Sequence, residues 1–354
     1  MSIDLVEVRG TYYQVGLGHG EQQRNRVAKS AREGMDSLSC RRRVKVREML
    51  VRLKSFMPFF RDHAPHLLEE MQGIADASGL TLEEVLFLNV RHDVQLLEEN
   101  SKPVTGGCTS FAAGEEATGN KVGLAGQNKD TGPAACDEMF LLSVKPTRGP
   151  NLLGLVYPGE VGPIGLGGRG VAVFANALYT RNRLIGCPHN LVRRVLLESA
   201  SVSDGERTMR CMSRFSSGNY TVADRLGNAA CFEVGGEVFA RVNGGKGLVV
   251  HANHVLHPDL KDLEAFEKRG EESEKRSGRL KELLEKRLGE LTVNDCKKFL
   301  RDHEYQPQSI CRHNGEIKGI SLSTTFSLIS DLKEKVLYVA RGCPCRNQYV
   351  PYSV

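Results

Sequence analysis

The sequence contains no tryptophan and no CxxC pair, although ten of its 354 residues are cysteines. Structural zinc sites are usually built from cysteine and histidine pairs at short spacing, so this absence argues against a zinc site. No segment reaches the run of about 18 apolar residues that spans a bilayer. We therefore expect no metal and no membrane association.

The sequence has 48 basic and 43 acidic residues, so neither sign of charge is in large excess and the net charge is +5. Apart from RRRVKVR at 41–47, the basic residues are spread along the chain, so we expect no nucleic-acid partner. The opening MSIDLVEVRG has no apolar core and does not resemble a secretory signal. We therefore expect a cytoplasmic protein whose cysteines are reduced and mostly buried.

Helical patterns dominate the first hundred residues, after an alternating stretch at 3–10 that predicts a strand. Apolar residues recur at helical spacing in four segments: 17–38, 44–60, 65–79 and 81–99. Pro65 suits the first turn of the third helix, and Gly79 suits its end. Thr81 and Glu84 form a capping-box signature for the fourth.

Strand patterns dominate from Cys108 onward. We expect one hairpin with Gly119-Asn120 near its tip, and a closing hairpin within 324–341 that turns at Lys333-Glu334-Lys335. Seven more strand patterns follow the first hairpin: MFLLSVKP, NLLGLVYP, GVAVFANAL, NYTVADRL, AACFEV, EVFARV and GLVVHANH. Helical segments interrupt them at 189–200, 203–215 and 292–303. This order predicts an α+β protein with antiparallel sheets covered by helices.

Two other segments have ordinary structural interpretations. The stretch 261–288 is charged and helical, and we interpret it as a solvated surface helix. The glycines of GPIGLGGRG (162–170) imitate a phosphate-binding loop, but neither a Lys-Ser/Thr pair nor a helix follows. We interpret them as turns between strands and expect no organic cofactor.

The segment TGGCTSF (105–111) places two glycines directly before Cys108. One interpretation is a turn that carries a buried thiol. The other is a self-cleavage site between Gly107 and Cys108, because thiol attack on the Gly107 carbonyl gives a thioester that water opens. The freed α-amine, with a pKa near 8, could then take the thiol proton without help from a histidine.

Several motifs follow this segment in a fixed order: GQNKD (126–130), PGEVGPIGLGGRGVAVFANAL (158–178), HANH (251–254) and SICRHNG (309–315). Together with GCTSF they resemble the penicillin acyltransferase family of N-terminal nucleophile hydrolases. The resemblance covers most of the chain. It implies one domain with a four-layer α/β/β/α sandwich of two mainly antiparallel sheets. It also implies cleavage into an α chain (1–107) and a β chain (108–354).

The resemblance assigns catalytic roles to four residues. Cys108 is the expected nucleophile, and its freed amine is the expected base. Asp130 is expected to orient that amine, and Asn253 to donate to the oxyanion. Arg312 is expected beside the nucleophile, where its positive charge favours the thiolate.

Three further residues have supporting roles by the same resemblance. Asn176 is expected to offer a backbone donor to the oxyanion, Asn128 to support a turn at GQNKD, and Thr109 to support the nucleophile. Considered singly, the catalytic candidates also have plain structural interpretations: Asp130 fits a turn, Asn253 a loop and Arg312 the surface.

The expected function is hydrolysis of small linear amides through a thioester on Cys108. The favoured substrates are N-acyl amines, such as β-alanyl conjugates of biogenic amines, or N-acyl amino acids. The expected partners are this small amide and the two chains produced by cleavage. The C-terminal PYSV is not a peroxisomal address, which departs from the fungal acyltransferase.

Three alternatives stay open. The first is an acyl-CoA-dependent N-acyltransferase. The second is a Cys-His hydrolase of papain type, with His251 or His254 as base and no self-cleavage. The third is an unprocessed, non-catalytic binding protein of the same fold, with the charged segment 261–288 as its partner surface.

Overall fold

The computed structural model describes residues 3–42, 45–96, 107–132, 134–181, 184–265, 270–313, 315–317 and 320–354. Its helices are α1 (Tyr12–Gln22), α2 (Arg24–Arg42), α3 (Val46–Leu53), α4 (Met57–His63), α5 (His66–Ser78), α6 (Leu82–Leu96), α7 (Ala135–Glu138), α8 (His189–Glu198), α9 (Val202–Arg210), α10 (Pro258–Lys261), α11 (Gly270–Glu285) and α12 (Val293–Phe299). No helix in these ranges is both long and apolar enough to cross a bilayer.

The strands form two sheets. They are β1 (Leu5–Gly10), β2 (Gly107–Ala113), β3 (Leu124–Thr131), β4 (Phe140–Pro146), β5 (Leu152–Val156), β6 (Ile164–Gly167), β7 (Val171–Asn176), β8 (Phe215–Asp224), β9 (Ala229–Gly236), β10 (Val238–Val242), β11 (Leu248–His251), β12 (Gly315–Ile317), β13 (Ile320–Asp331), β14 (Val336–Arg341) and β15 (Val350–Ser353).

Within the described residues, the first sheet has eight strands in the order β1-β4-β5-β6-β7-β8-β9-β10, and only its β1–β4 pair is parallel. The second has seven strands: β11-β2-β3-β13-β14-β15 are paired side by side, and β12 pairs with β13. All pairs of the second sheet are antiparallel. The strand β2, which contains Cys108, therefore lies inside the second sheet between β11 and β3.

Three apolar cores separate four layers. One joins the N-terminal helices, α8 and α9 to the eight-stranded sheet, with Ile74 and Leu142 among its members. A second lies between the sheets and includes Leu155 and Leu328. A third joins α11 and α12 to the seven-stranded sheet and includes Leu280. The expected α/β/β/α sandwich of two mainly antiparallel sheets is confirmed.

The local signals for turns and caps are confirmed in detail. The helix α5 ends before Gly79, which has a φ of 72°. At the start of α6, Glu84 N donates to Thr81 Oγ1 and Thr81 N donates to Glu84 Oε2. Both hairpins form, β2 with β3 and β13 with β14, and the second turns through Lys335 with a φ of 55°.

The helix expected at 17–38 is two helices, because α1 begins at Tyr12 and α2 begins at Arg24. The side chain of Thr11 caps α1 through the Gln14 backbone amide. A Cβ atom at Gly16 would lie 1.9 Å from the Glu70 carbonyl oxygen, so glycine lets α1 pack backbone to backbone on α5. The glycines of α1 also weaken the apolar periodicity from which a helix is predicted in a sequence.

Two other interpretations are corrected. Residues 164–167 form the strand β6, and a Cβ atom at Gly167 would lie 2.0 Å from the Leu197 carbonyl oxygen of α8. Its glycines therefore allow a helix to pack closely on a strand. The stretch 261–288 is not one solvated helix: α10 ends at Lys261, and α11 buries Leu280 and other residues of one face.

Candidate active site

Cys108 is the second residue of β2, and its partner across the sheet is Lys129 of β3. Paired residues of antiparallel strands project to the same face, so both side chains point toward the eight-stranded sheet. There they line a cavity of about 350 Å³, whose other lining residues include Tyr157, Ala177 and Leu178. The Cys108 side chain is 8% exposed, at the wall of this cavity.

The backbone nitrogen of Cys108 donates a hydrogen bond to Asn253 Oδ1 at 2.8 Å. Asn253 follows β11, the neighbouring strand, and its own amide donates to Ser273 Oγ of α11. Its Nδ2 atom donates to the Ala177 carbonyl oxygen at 3.1 Å, beside the cavity. Asn253 is thus held by α11 on one side and by the segment after β7 on the other. Its side-chain oxygen accepts the hydrogen bond from the nitrogen of the Gly107–Cys108 bond.

Arg276 is a member of this site that sequence reasoning missed. It lies on α11, is 3% exposed, and donates from Nη2 to Asn253 Oδ1 at 3.0 Å. Its Nε atom donates to Thr109 Oγ1 at 3.1 Å, so Thr109 lies in the site. Burial, followed by the nearby positive charge of Arg312, lowers the pKa of Arg276 to about 10. The guanidinium remains charged at neutral pH.

Asp130 lies opposite Gly107 in the β2–β3 pair and is fully buried. Its Oδ1 atom accepts a hydrogen bond from Thr324 Oγ1 at 2.8 Å, and its Oδ2 atom lies 3.3 Å from Arg312 Nε. Burial raises the pKa of Asp130, while the charges of Arg312 and Arg276 oppose that rise. In the intact chain the Cys108 backbone amide is bound by Asn253 rather than by this carboxylate.

Arg312 lies in the segment between α12 and β12 and is 2% exposed, so it is not a surface arginine. Its backbone amide donates to Thr324 Oγ1 at 2.9 Å, and its carbonyl accepts from Thr324 N at 3.0 Å. Thr324 therefore connects Arg312 and Asp130 through one hydroxyl group. The other three catalytic candidates, Asp130, Asn253 and Arg312, surround the bond between Gly107 and Cys108 together with Arg276.

Asn128 does not support a turn, because GQNKD lies within the strand β3. Its Nδ2 atom donates to the carbonyl oxygens of Leu300 at 2.8 Å and Ile310 at 2.9 Å. Neighbouring side chains of a strand project to opposite faces, so Asn128 points away from the cavity that Lys129 lines. It fixes the segment that leads to Arg312.

Asn176 lies at the end of β7, among buried polar side chains between the two sheets. Its Oδ1 atom accepts from Gln127 Nε2 at 2.8 Å, and its Nδ2 atom donates to Ser110 Oγ at 2.7 Å. The same Nδ2 atom lies 3.3 Å from His251 Nδ1. This side chain connects β2 and β3 to the other sheet next to the cavity.

The two histidines of HANH have other partners than the thiol. His251 is fully buried, and its Nε2 atom lies 2.6 Å from Glu233 Oε1. His254 Nδ1 lies 2.7 Å from Ser273 Oγ. Among the described residues, neither ring makes a hydrogen bond to the Cys108 sulfur, so the geometry does not favour the papain-type alternative.

Burial favours the protonated form of the Cys108 thiol in the intact chain. Burial raises its pKa, which the charges of Lys129 and Arg276 partly oppose and the charge of Asp130 reinforces. The backbone amide of Asp130 also hydrogen-bonds the thiol and lowers this pKa. A buried thiol of this kind needs a base before it can attack a carbonyl.

The model of the family described as "Acyl-coenzyme A:6-aminopenicillanic acid acyl-transferase" matches residues 117–344, which is more than half of the chain. The matched range includes Asp130, Asn253 and Arg312, and it begins after Cys108. No curated protein matches the sequence.

Three solved structures are similar to this one. A mutant of conjugated bile acid hydrolase from Clostridium perfringens is 12% identical, covers 69% of this chain and 97% of its own, and has a TM-score of 0.47. A Caenorhabditis elegans ortholog of N-acylethanolamine-hydrolyzing acid amidase is 13% identical, covers 64% of this chain and 93% of its own, and has a TM-score of 0.44. Penicillin V acylase from Agrobacterium tumefaciens is 11% identical, covers 67% of this chain and 75% of its own, and has a TM-score of 0.38.

The family match, which includes three of the four catalytic candidates, confirms the class of enzyme expected from the sequence, an amide hydrolase or acyltransferase. The chain belongs to the acyl-coenzyme A:6-aminopenicillanic acid acyl-transferase family.

Proposed function

We propose that this chain is a self-processing cysteine hydrolase of small linear amides, activated by cleavage between Gly107 and Cys108. One observation carries the proposal: Asn253 binds the backbone nitrogen of Cys108 in that peptide bond, while the Cys108 side chain lines a ligand-sized cavity. A structural cysteine would need neither arrangement. Cleavage would give an α chain (1–107) and a β chain (108–354) within one domain.

Processing begins when Cys108 Sγ attacks the carbonyl carbon of Gly107. The carbon–nitrogen bond breaks, the leaving Cys108 nitrogen takes the proton that the thiol gives up and becomes an amine, and a thioester joins Gly107 to the sulfur. Water then hydrolyses the thioester to a Gly107 carboxylate and a free thiol. Asn253 Oδ1 keeps its hydrogen bond to the Cys108 nitrogen through these steps, because an amine still donates to it.

The freed amine is the base for the second reaction. Its pKa is near 8, so part of it is neutral at physiological pH and can take the thiol proton. The thiolate attacks the amide carbonyl of the substrate, and the leaving amine receives the proton. Water hydrolyses the resulting acyl thioester. The Nδ2 atom of Asn253 donates a hydrogen bond to the oxyanion, and the positive charge of Arg276, whose Nη2 atom binds Asn253 Oδ1, strengthens this donor.

The cavity supports a small substrate with an anionic group. Its volume of about 350 Å³ lies at the lower end of small-molecule sites. Glu160 at its wall is already paired with Arg91 at 3.2 Å and with Arg193 at 3.4 Å. Lys129 lies beside Cys108 on the cavity wall and offers a positive charge that a carboxylate on the substrate can bind. Among the favoured substrates, we therefore place N-acyl amino acids ahead of β-alanyl conjugates of biogenic amines.

All ten cysteines are free. Free thiols are typical of reducing compartments, which supports the proposed cytoplasmic location.

A second candidate activity is acyl transfer from acyl-CoA to an amine, and the family description supports it. Both activities use the same thioester and differ in whether water or an amine takes the acyl group.

The decisive experiment is intact mass and N-terminal sequencing of the purified protein, beside a Cys108→Ala variant and a Cys211→Ala control at an exposed cysteine. We expect fragments of about 12 and about 27 kDa in the wild type and the control, in proportion to their share of the 39.0 kDa chain. The larger should begin Cys-Thr-Ser. Cleavage in Cys108→Ala, or an uncut wild type that hydrolyses N-acyl amino acids, would overturn the proposal.

A further inference from the structure

We propose that His303, Cys311, His313 and Cys345 form a structural Zn²⁺ site. One ligand atom from each residue lies within 4.8 Å of the others, which makes a compact group of two thiols and two imidazoles. This combination of soft sulfur and borderline nitrogen ligands selects Zn²⁺ over the hard cations Mg²⁺ and Ca²⁺.

The spacing of the ligand atoms fits a tetrahedron around one zinc ion. Zn–S bonds of about 2.3 Å and Zn–N bonds of about 2.1 Å imply edges of about 3.8 Å for two sulfurs, about 3.6 Å for sulfur and nitrogen, and about 3.4 Å for two nitrogens. The sulfurs of Cys311 and Cys345 are 3.7 Å apart. His313 Nε2 lies 3.2 Å from Cys345 Sγ and 3.9 Å from Cys311 Sγ. The two Nε2 atoms of His303 and His313 are 2.9 Å apart.

The ligands come from three places in the chain. His303 follows α12, Cys311 and His313 precede β12, and Cys345 lies between β14 and β15. The backbone holds the first two places together, because Cys311 N donates to the Asp302 carbonyl at 3.0 Å. Arg301 Nε donates to the Pro344 carbonyl at 2.9 Å and holds the third. The site is therefore pre-formed, and the exposed ring of His303 gives the ion a path of entry.

A disulfide between Cys311 and Cys345 accounts for less of this arrangement. A disulfide needs sulfurs about 2.05 Å apart, well below their separation of 3.7 Å. It would also leave two imidazole nitrogens facing each other with no shared partner except a proton. A single metal ion accounts for the convergence of all four atoms.

The proposed ion has a positioning role in the reaction. Cys311 and His313 directly flank Arg312, the residue paired with Asp130 beside the nucleophile. Four protein ligands complete the coordination of Zn²⁺ and leave no open position for water or substrate. The ion would hold the backbone on both sides of Arg312 and thereby fix its guanidinium at Asp130.

This site differs from the expectation of no metal. That expectation rested on the absence of CxxC pairs, whereas these ligands are separated by 8, 2 and 32 positions along the chain. Such spacing becomes a site only when a hairpin brings position 345 beside position 311.

The test is metal analysis of the full chain, purified and dialysed without chelator. We expect about one Zn²⁺ per chain in the wild type and a more than tenfold lower content in Cys345→Ser and His303→Gln, whereas the control Cys211→Ser keeps the wild-type content. Co²⁺ exchanged into the site should give the strong visible bands of tetrahedral cobalt and thiolate charge-transfer bands, and both should be absent in Cys345→Ser. The exposed His303 makes His303→Gln the variant least prone to misfolding.

Two results would overturn the inference. One is a zinc content that is negligible, or equal in the wild type and the ligand variants. The other is a mass two hydrogens lower in the non-reduced protein, mapped to Cys311 and Cys345. The same metal analysis on uncut Cys108→Ala separates this inference from the proposed function, because zinc binding requires no cleavage.

Discussion

The side-chain oxygen of Asn253 lies 2.8 Å from the backbone nitrogen of Cys108, at the bond proposed to be cleaved. An amide side chain can accept this hydrogen bond and donate another at the same time. In the intact chain the donor atom, Nδ2, binds the Ala177 carbonyl. Asn253 can therefore orient the nitrogen of the nucleophile and stabilise an oxyanion with different atoms.

Replacement of Asn253 by aspartate separates these two roles. The introduced carboxylate would still accept from the Cys108 nitrogen but could not donate to an oxyanion. We expect Asn253→Asp to lower kcat for amide hydrolysis by about 10²–10³-fold, the usual effect of losing one oxyanion donor. Steady-state kinetics on fully cleaved protein measure this effect. The control Asn120→Asp makes the same chemical change in an exposed turn, and an equal loss there would contradict the assignment.

Replacement of Arg276 tests the contribution of α11 to the site. Arg276→Met loses the bonds to Asn253 and Thr109 and places an uncharged side chain beside the scissile bond. We expect both self-cleavage and amide hydrolysis to slow by at least about tenfold, because charged hydrogen bonds contribute about 1.5–3 kcal/mol. The cleavage rate is followed by gel electrophoresis of freshly made protein. Lys281→Met on the exposed face of α11 should behave like the wild type.

Replacement of Lys129 tests the proposed preference for anionic substrates. Lys129→Met should raise KM for N-acyl amino acids by about 10–100-fold, the loss expected for a hydrogen bond to a charged group. The corresponding N-acyl amines without a carboxylate should be affected much less. Equal losses for both substrate series would argue that Lys129 acts on the thiol rather than on the substrate. Lys145→Met, at an exposed end of β4, is the matched control.

The buried carboxyl of Asp93 makes stability fall as the pH rises. Burial raises its pKa to about 7, from an ordinary value of 3.8, despite hydrogen bonds from His189 and Ser216. A raised pKa means that the folded state holds the proton more tightly. The contribution of Asp93 to stability is therefore fully present below about pH 4 and is lost as the pH rises through about 7.

The variant Asp93→Asn isolates this effect. Its carboxamide oxygen can still accept from His189 N, which lies 3.0 Å from Asp93 Oδ1, but it cannot ionise. The variant should gain stability relative to the wild type between about pH 4 and about pH 8, by up to about 4 kcal/mol at about 1.36 kcal/mol per pKa unit. Urea unfolding at several pH values measures the difference. A stability difference that does not change with pH would contradict the raised pKa.

Sequence reasoning succeeded where the signal is local. The cap formed by Thr81 and Glu84 and the turn at Lys333-Glu334-Lys335 depend on a few neighbouring residues, and both form as expected. The motif order also led to Cys108, Asp130, Asn253 and Arg312, which the fold brings together.

The errors arise where distant segments decide the outcome. Arg276 lies in a stretch that is rich in charge, and only the packing of α11 beside β11 and β2 turns it toward Asn253. The resemblance implied that Asn128 supports a turn at GQNKD. It lies instead fully buried in the central strand β3, where its Nδ2 atom donates to the carbonyl oxygens of Leu300 and Ile310.

The position of β2 has a consequence for the synthesis of this protein. Asn253 lies 145 residues after Cys108, and Arg276 and Arg312 lie later still. A chain still on the ribosome cannot assemble these groups around its own scissile bond until Arg312 and the residues before it have emerged. Activation would therefore report that translation has passed Arg312, and fragments truncated before these residues would remain inert instead of releasing a reactive thiol.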